Sequence, residues 1–374
     1  MEMNKKLNGL KVAIVHDWLT GMRGGEMCLE ILCDMFPDAP VFTLVHNKGS
    51  VSHKIESHPI HTSFLQNFPF VKTAYRNYLP LFPVAIEQMN LKSFDVVIST
   101  SHAVAKGIIP HSKALHISYI HTPMRYVWDL YDEYFGHDKI GFLKRLIVPP
   151  IASYLRNWDV SSTNRVDEFI ANSYNVKQRI WRHYRREAEV IYPPVDTSKF
   201  GLGEKSDNFF LIVSAFVPYK RVDLAIEVAN KRKENLVIIG NGPDEKKLKS
   251  IAGPTVQFKK ALAHEELRYY YQNCKALLFS GEEDFGIVPL EAQSAGKPVI
   301  AFGKGGVLET VINGKTGIYF HEQTIDSMSL AIDEFNKTQF DSKEIRNHAL
   351  EFDASIYEKK MKQFILQKME LHFK

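Results

Sequence analysis

Thiols are scarce in this sequence: Cys28, Cys33 and Cys274 are the only cysteines in 374 residues, an odd number without metal-ligand spacing. Neither a disulfide framework nor a zinc site can therefore organise the chain, and a reducing cytoplasm suits it. Long apolar runs are missing too. No stretch could cross a bilayer, and Met1-Glu-Met-Asn-Lys-Lys6 leads into a strand-like segment without the apolar core of a signal peptide, so a cytoplasmic protein is expected. Nor is there a dominant charge: 47 Lys and Arg against 43 Asp and Glu leave a formal +4. That is too mild to argue for nucleic acid, though it allows a phosphate-bearing substrate or contact with an anionic membrane. No Asp-x-Asp metal motif occurs, and Gly240-Asn-Gly242 lacks the third glycine and ribose acid of a nicotinamide fingerprint. Internal sequence repeats are absent as well.

What is present is an ordinary globular composition, 45% hydrophobic and 24% charged, on a chain long enough for two domains with separate cores. Strand-like runs alternate with helical ones. The spacing predicts strands at 10–16, 41–44, 94–101, 114–120 and 169–173, and again at 209–214, 236–239, 256–260, 276–279 and 298–302. That alternation argues for two doubly wound α/β domains facing across a cleft, with ligands beyond the carboxyl ends of the strands. Proline-stiffened Val190-Ile-Tyr-Pro-Pro-Val-Asp196 closes the first domain, which places the boundary between 1–200 and 201–354.

The stretch around which the second domain is organised is Ser280-Gly-Glu-Glu-Asp-Phe-Gly-Ile-Val-Pro-Leu-Glu-Ala292. It follows an apolar strand and runs into a helix whose first turn accepts Pro289. The free amides of Gly286, Ile287 and Val288, next to Phe285, then form an anion seat at a positive helix end. Glu283 stands just before that seat and Glu291 about a turn inside it. Two carboxylates flanking a phosphate-favouring point suit a sugar nucleotide, whose hydroxyl-rich rings lie on either side of a diphosphate. For an isolated acidic loop, capping by Glu283 and Asp284 is the simpler explanation. Other strand ends carry compatible groups: Lys220 and Arg221 after 209–214, Gly24-Gly25 at the mouth of the first helix, and His121 after 114–120. Gly305 and Gly306 would let backbone approach a donor closely.

Two segments admit two readings each. Residues 60–90 are rich in aromatics, including Phe64, Phe68, Phe70, Tyr75, Tyr78 and Phe82, with Lys72 and Arg76 among them. They are either a pair of helices packed inside the domain or an acceptor- or membrane-facing patch. Residues 139–158 mix Lys139, Lys144, Arg145 and Arg156 with apolar side chains such as Leu143, Leu146 and Ile147, a basic amphipathic surface interrupted by Pro149-Pro150.

The spaced acids Glu283 and Glu291, with Phe-Gly-Ile-Val-Pro-Leu between and Ala-Gly-Lys-Pro-Val-Ile following, resemble the signature of retaining glycosyltransferases of family 4. The resemblance covers nearly the whole chain. It implies the GT-B fold of two Rossmann-like domains, with a terminal helix, 355–374, crossing back onto the first. It also implies a glycine at Gly24-Gly25 over the donor diphosphate and a histidine, His121, approaching the donor sugar. The segments His121-Thr-Pro-Met-Arg-Tyr-Val-Trp128 and Pro218-Tyr-Lys-Arg221 resemble the bacterial mannosyltransferase branch. GDP-mannose is accordingly the expected donor. A lipid-linked or oligosaccharide acceptor of surface polysaccharide synthesis is the expected partner, with peripheral contact at the inner membrane surface. The alternatives are a UDP-sugar donor, carrying glucose or N-acetylglucosamine, and a catalytically weakened transferase-like binding protein. Ala215 stands where the family carries an arginine, so either Arg221 supplies that charge or the diphosphate contacts differ.

On this reading the helix start at Gly286–Val288, Lys220 and Arg221 hold the leaving phosphate, Glu283 binds hexose hydroxyls and Glu291 binds ribose. Fixed cations replace a metal, so neither metal nor cofactor is expected. Retention of configuration is implied by the resemblance, without a convincing covalent nucleophile in the sequence.

Overall fold

The computed structural model describes residues 9–136, 141–203, 206–260 and 262–374, the side chains of residues 142–144 excepted. The positions of Lys139 and of the Leu143 and Lys144 side chains lie outside that set. The chain divides into two compact units, one of residues 1–194 with 357–374 and the other of 195–356, so Val195–Phe200, Ser355 and Ile356 belong to the second.

The first unit is a seven-stranded sheet: β1 (Val12–His16), β2 (Val41–Thr43), β3 (Ile60–Thr62), β4 (Val96–Ser101), β5 (Leu115–Ile120), β6 (Glu168–Ala171) and β7 (Glu189–Val190). Their order is β3-β2-β1-β4-β5-β6-β7, and every pairing is parallel. All residues of β1, β4 and β5 are buried, as a parallel sheet covered on both faces requires. Side chains alternate between two cores. Val12, Ile14 and Ile98 point to one face, while Ala13, Val15 and Val97 point to the other. Helix α1 (Gly24–Met35) and the terminal helix Ala354–His372 cover the first face. Tyr357, Met361, Phe364, Ile365 and Met369 of the terminal helix recur at helical spacing and enter that core. Each such fully buried side chain is worth roughly 2 kcal/mol of transfer free energy.

The aromatic segment forms short helical turns rather than a pair of full helices, and it lies on the other face. Tyr75 and Phe82 are buried there, with Phe64, Phe68 and Tyr78 packed against them. Phe70, in a left-handed conformation, is 81% exposed. The helix Phe142–Ser161, α2, runs through Pro149 and Pro150 without the expected interruption. Both prolines sit on its exposed side, where solvent can serve the carbonyls their missing amides leave unpaired.

The second unit repeats the plan with β8 (Phe210–Val213), β9 (Leu236–Ile239), β10 (Val256–Lys259), β11 (Leu277–Phe279), β12 (Val299–Phe302) and β13 (Gly317–Phe320). The order β10-β9-β8-β11-β12-β13 is again wholly parallel. In each unit the chain reverses its direction of winding once, between β1 and β4 and between β8 and β11. Loops leaving the carboxyl ends of those strands therefore diverge and leave a crevice.

Candidate functional site

Three loops meet at the switch point of the second unit. The first leaves β8 and passes through Pro218–Lys220, the second leaves β11 as Ser280–Gly286, and the third leaves β12 as Gly303–Gly306. They touch backbone to backbone because glycine stands at the contacts. A Cβ on Gly281 would lie 2.8 Å from the Lys220 Cα, and one on Gly306 would lie 2.2 Å from the Asp284 carbonyl oxygen. The amide of Gly306 donates to the Glu283 carbonyl at 2.8 Å. Gly305 and Gly306 thus serve close approach of one loop to the acidic loop, a closer partner than the donor expected from the sequence.

Helix α3 (Ile287–Ser294) opens from Gly286 at φ +97°, a left-handed conformation that glycine adopts without strain. Pro289 occupies the third helical position, where its missing amide leaves no donor unsatisfied. The amides of Gly286, Ile287 and Val288 have no backbone acceptor among the described residues, so the helix end can receive an anion. Phe285 does not present its ring there. The ring is buried against Phe352, centroids 5.9 Å apart, and anchors the loop.

Lys220 and Glu283 are brought together as a direct ion pair, both largely but not fully buried. The pair places an acid and a base at the mouth of the helix end. Arg221 is turned elsewhere: its guanidinium donates to Asp223 at 3.3 Å and to Gln323 at 3.4 Å. Its backbone is left-handed at φ +49°. Gln323 in turn donates to the Ser280 carbonyl at 2.8 Å, so Arg221 braces the acidic loop from behind. Glu291 lies further along α3, where its Oε2 accepts the Tyr271 hydroxyl at 2.6 Å. Burial pushes the Glu291 carboxyl up, and the Tyr271 hydrogen bond works against that rise.

A second polar constellation occupies the switch point of the first unit. Gly25 stands at the start of α1, where a Cβ would come within 3.4 Å of His121 Nε2 and 3.5 Å of His16 Cε1. Gly24 precedes it as the first helical residue, and the Glu26 carboxylate caps the turn by accepting the Arg23 amide at 3.0 Å. His16 Nδ1 shares a short hydrogen bond with Thr100 Oγ1, and its Nε2 faces Glu26 Oε1 at 3.6 Å. Burial pushes the His121 imidazole down to about 3, with His102 and His16 adding to it. A neutral His121 suits hydrogen bonding to a hydroxyl better than pairing with phosphate.

Asp17, which sequence reasoning passed over, ties this constellation together. Fully buried, it accepts the amides of His102, Ala103, Val104 and Ala105 at 2.7, 2.9, 2.7 and 2.8 Å. The signal was an acid directly following a buried strand. His16 was missed because its partner Thr100 is distant in sequence, whereas Glu26 was read only as the start of the first helix. Gly24, Gly25 and His121 thus gather in one unit, and Lys220, Glu283, Gly286–Val288 and Glu291 in the other.

Among the described residues, no group of three or more His, Cys, Asp or Glu side chains is placed to hold a metal ion, the Glu282–Asp284 run included. No described helix is long and apolar enough to cross a membrane. A cavity of about 480 Å³ lined by residues such as Phe42, His61 and Phe94 shares no residue with either constellation.

Residues 23–199 match the family described as Glycosyltransferase Family 4, and residues 195–352 match that described as Glycosyl transferases group 1. An alpha-1,3/1,6-mannosyltransferase of Dictyostelium discoideum is 25% identical over 261 residues, 55% of this chain and 60% of that protein. An O-antigen chain mannosyltransferase of Salmonella typhimurium is 28% identical over 210 residues, 51% of this chain and 57% of that protein. The chain spans about half the length of the curated relatives it matches. Among solved structures, the sucrose-phosphate synthase of Thermosynechococcus elongatus superposes with a TM-score of 0.73, covering 96% of this chain and 100% of that one. At 15% identity that similarity speaks for the fold alone.

Proposed function

From the premise that this chain belongs to glycosyltransferase family 4 and has its GT-B fold, we propose that it transfers a hexose from a nucleoside diphosphate donor with retention of configuration. The observation that carries the reading is the Lys220–Glu283 pair beside the unpaired amides of Gly286–Val288. An anion at the helix end sits within reach of a cation, and the adjacent carboxylate takes hydroxyls. The acceptor hydroxyl attacks the anomeric carbon on the face that the diphosphate leaves. The C–O bond to phosphate breaks with its electron pair going to the phosphate oxygen, and that oxygen accepts the acceptor's proton. Lys220 and the α3 amides neutralise the charge that develops, and no divalent ion is required. Glu291 binds the ribose.

Mannose from GDP-mannose is the donor we favour, because the His121–Trp128 and Pro218–Arg221 segments resemble bacterial mannosyltransferases and two relatives carry that name. The acceptor is a lipid-linked or free oligosaccharide of bacterial surface polysaccharide synthesis. Leu146 and Ile147 of α2, 61% and 47% exposed beside exposed Arg145, support peripheral contact with an anionic membrane surface on the cytoplasmic side. The test is a screen of GDP- and UDP-sugars against a library of lipid-diphosphate acceptors, read by product mass and anomeric configuration. Consumption of GDP-mannose with a retained linkage is expected. Preference for a UDP-sugar would remove the mannose assignment, and an inverted product would remove the same-face route.

A further inference from the structure

We propose that Tyr271 is a positioning residue of the donor site: its hydroxyl fixes one oxygen of Glu291 and thereby aims the other at the ribose of the bound nucleotide. The inference rests on the reading of Glu291 as the ribose-binding acid and extends it to a residue that never meets the ligand.

Tyr271 lies on the helix His264–Asn273 with its side chain fully buried. A buried phenol needs a hydrogen-bond partner, and this one donates to Glu291 Oε2 at 2.6 Å. The ring itself is held. Phe200 meets it edge-on, centroids 5.0 Å apart at 78°. Arg346 then donates to the Phe200 carbonyl and also to the Ser294 carbonyl at the end of α3. One guanidinium therefore ties the wall behind Tyr271 to the helix that carries Glu291. The phenol and the carboxylate are locked in a common frame.

That frame has a chemical consequence. An ionised carboxylate accepts through two oxygens, and a free one can rotate away from a diol. With Oε2 committed to Tyr271, only Oε1 remains for a ribose hydroxyl. The phenol also favours the ionised, acceptor-only form, opposing the rise that burial imposes on this carboxyl. Tyr271 should consequently control how strongly the site discriminates ribose from deoxyribose, while leaving the reacting atoms untouched.

The experiment is calorimetric titration of the full chain with GDP, 2′-deoxy-GDP, UDP and 2′-deoxy-UDP, comparing the unsubstituted protein, Tyr271→Phe and Glu291→Gln. Phenylalanine fills the same volume and lacks only the hydroxyl. Tyr271→Met, which packs adaptably, carries the same expectation should the phenylalanine variant fail to fold. The unsubstituted protein should prefer the ribonucleotide roughly tenfold. Tyr271→Phe should bring that ratio to within about twofold of unity and raise the donor KM roughly tenfold, with kcat nearly unchanged. If Tyr271→Phe keeps the ratio while Glu291→Gln abolishes it, the positioning role is overturned and the ribose reading stands. If the unsubstituted protein shows no ratio, or Glu291→Gln retains it, the ribose reading is overturned and the role of Tyr271 with it.

Discussion

The buried carboxylate of Asp17 accepts the amide of Val104 at 2.7 Å, joining the loop after β1 to the loop after β4 across 87 residues of sequence. Three neighbouring amides bond to the same carboxylate. Burial by itself would raise this carboxyl. The His102 ring and the amide hydrogen bonds outweigh it and hold the group below the ordinary carboxylate range. A depressed carboxyl contributes stability that is present above its unfolded value near 3.8 and lost as pH falls through the folded value. Buried His116 and His121, pushed down to about 4 and about 3, act in the same direction from a higher starting point. Below 6.5 the unfolded chain takes up protons that the folded one refuses. Urea unfolding of the first unit should therefore lose midpoint progressively from about pH 6.5 and more steeply near pH 4. Asp17→Asn should cost ~3 kcal/mol at pH 7 and flatten the steep acid limb. An unchanged limb in that variant would assign the acid sensitivity to other groups.

Lys220 and Glu283 form an ion pair, and each side of the pair makes its own prediction. On the proposed role of Glu283 at the hexose, Glu283→Ala should abolish transfer, by at least ~1000-fold, because the hydroxyls would lose their acceptor and Lys220 its partner. On the proposed role of Lys220 at the leaving phosphate, Lys220→Met should lower kcat by ~100-fold, since the helix end alone would then meet that charge. In both variants thermal unfolding should shift by only a few degrees, because neither side chain is fully buried. Near-normal turnover in Glu283→Ala would contradict its role at the sugar.

Much of this site was legible in the sequence because it is local. The helix start at Ile287, the accepted Pro289 and the spacing of Glu283 and Glu291 all lie within one strand-loop-helix unit, where periodicity and capping rules act directly. The edge strand Ile60–Thr62 was not legible: its three residues are half-buried or exposed and show no apolar run. Gly317–Phe320 was missed for another reason: it is short, mostly buried, and begins with glycine directly after a turn. Asp17, His16 and Tyr271 were missed for a different reason. Their partners Val104, Thr100 and Glu291 stand 87, 84 and 20 residues away, and only the assembled sheet and its flanking helices bring them into contact. The run through Pro149-Pro150 shows the converse failure, in which a strong local breaker is overridden because its face of the helix is open to solvent.

Gly306 offers a test of the loop architecture that leaves every polar group in place. Its φ is −66°, so alanine would suffer no backbone strain, yet a Cβ would lie 2.2 Å from the Asp284 carbonyl oxygen and 2.3 Å from the Phe285 Cα. Backbone atoms cannot swing aside as a flexible side chain can. Gly306→Ala should push the acidic loop off the β12 loop, break the Gly306–Glu283 backbone bond and destabilise the protein by ~2 kcal/mol. Activity should fall further than stability, roughly 100-fold, because Glu283 moves with the loop. A variant with unfolding midpoint and turnover close to the original would show that the loops tolerate separation.

Lys106 and Asp159 pair at 2.7 Å in the interior of the first unit, with side-chain exposures of 2% and 0%. Asp159 also accepts Trp128 Nε1 and the Tyr184 hydroxyl, each at 2.8 Å, and Lys106 donates to Ser162 at 2.7 Å. Burial pushes the Lys106 ammonium down, and Asp159 opposes that fall. Removing one partner leaves the other charge uncompensated in a low-dielectric interior, which costs more than the pair itself contributes. Lys106→Met should therefore destabilise the first unit by ~3–5 kcal/mol in urea unfolding. The double variant Lys106→Met with Asp159→Asn should be less destabilised than the sum of the single changes, since no unpaired charge remains. Nucleotide binding by the second unit's constellation should persist in both at temperatures where the chain stays folded. Additive losses would show that the two groups act independently, each through its own neutral hydrogen bonds.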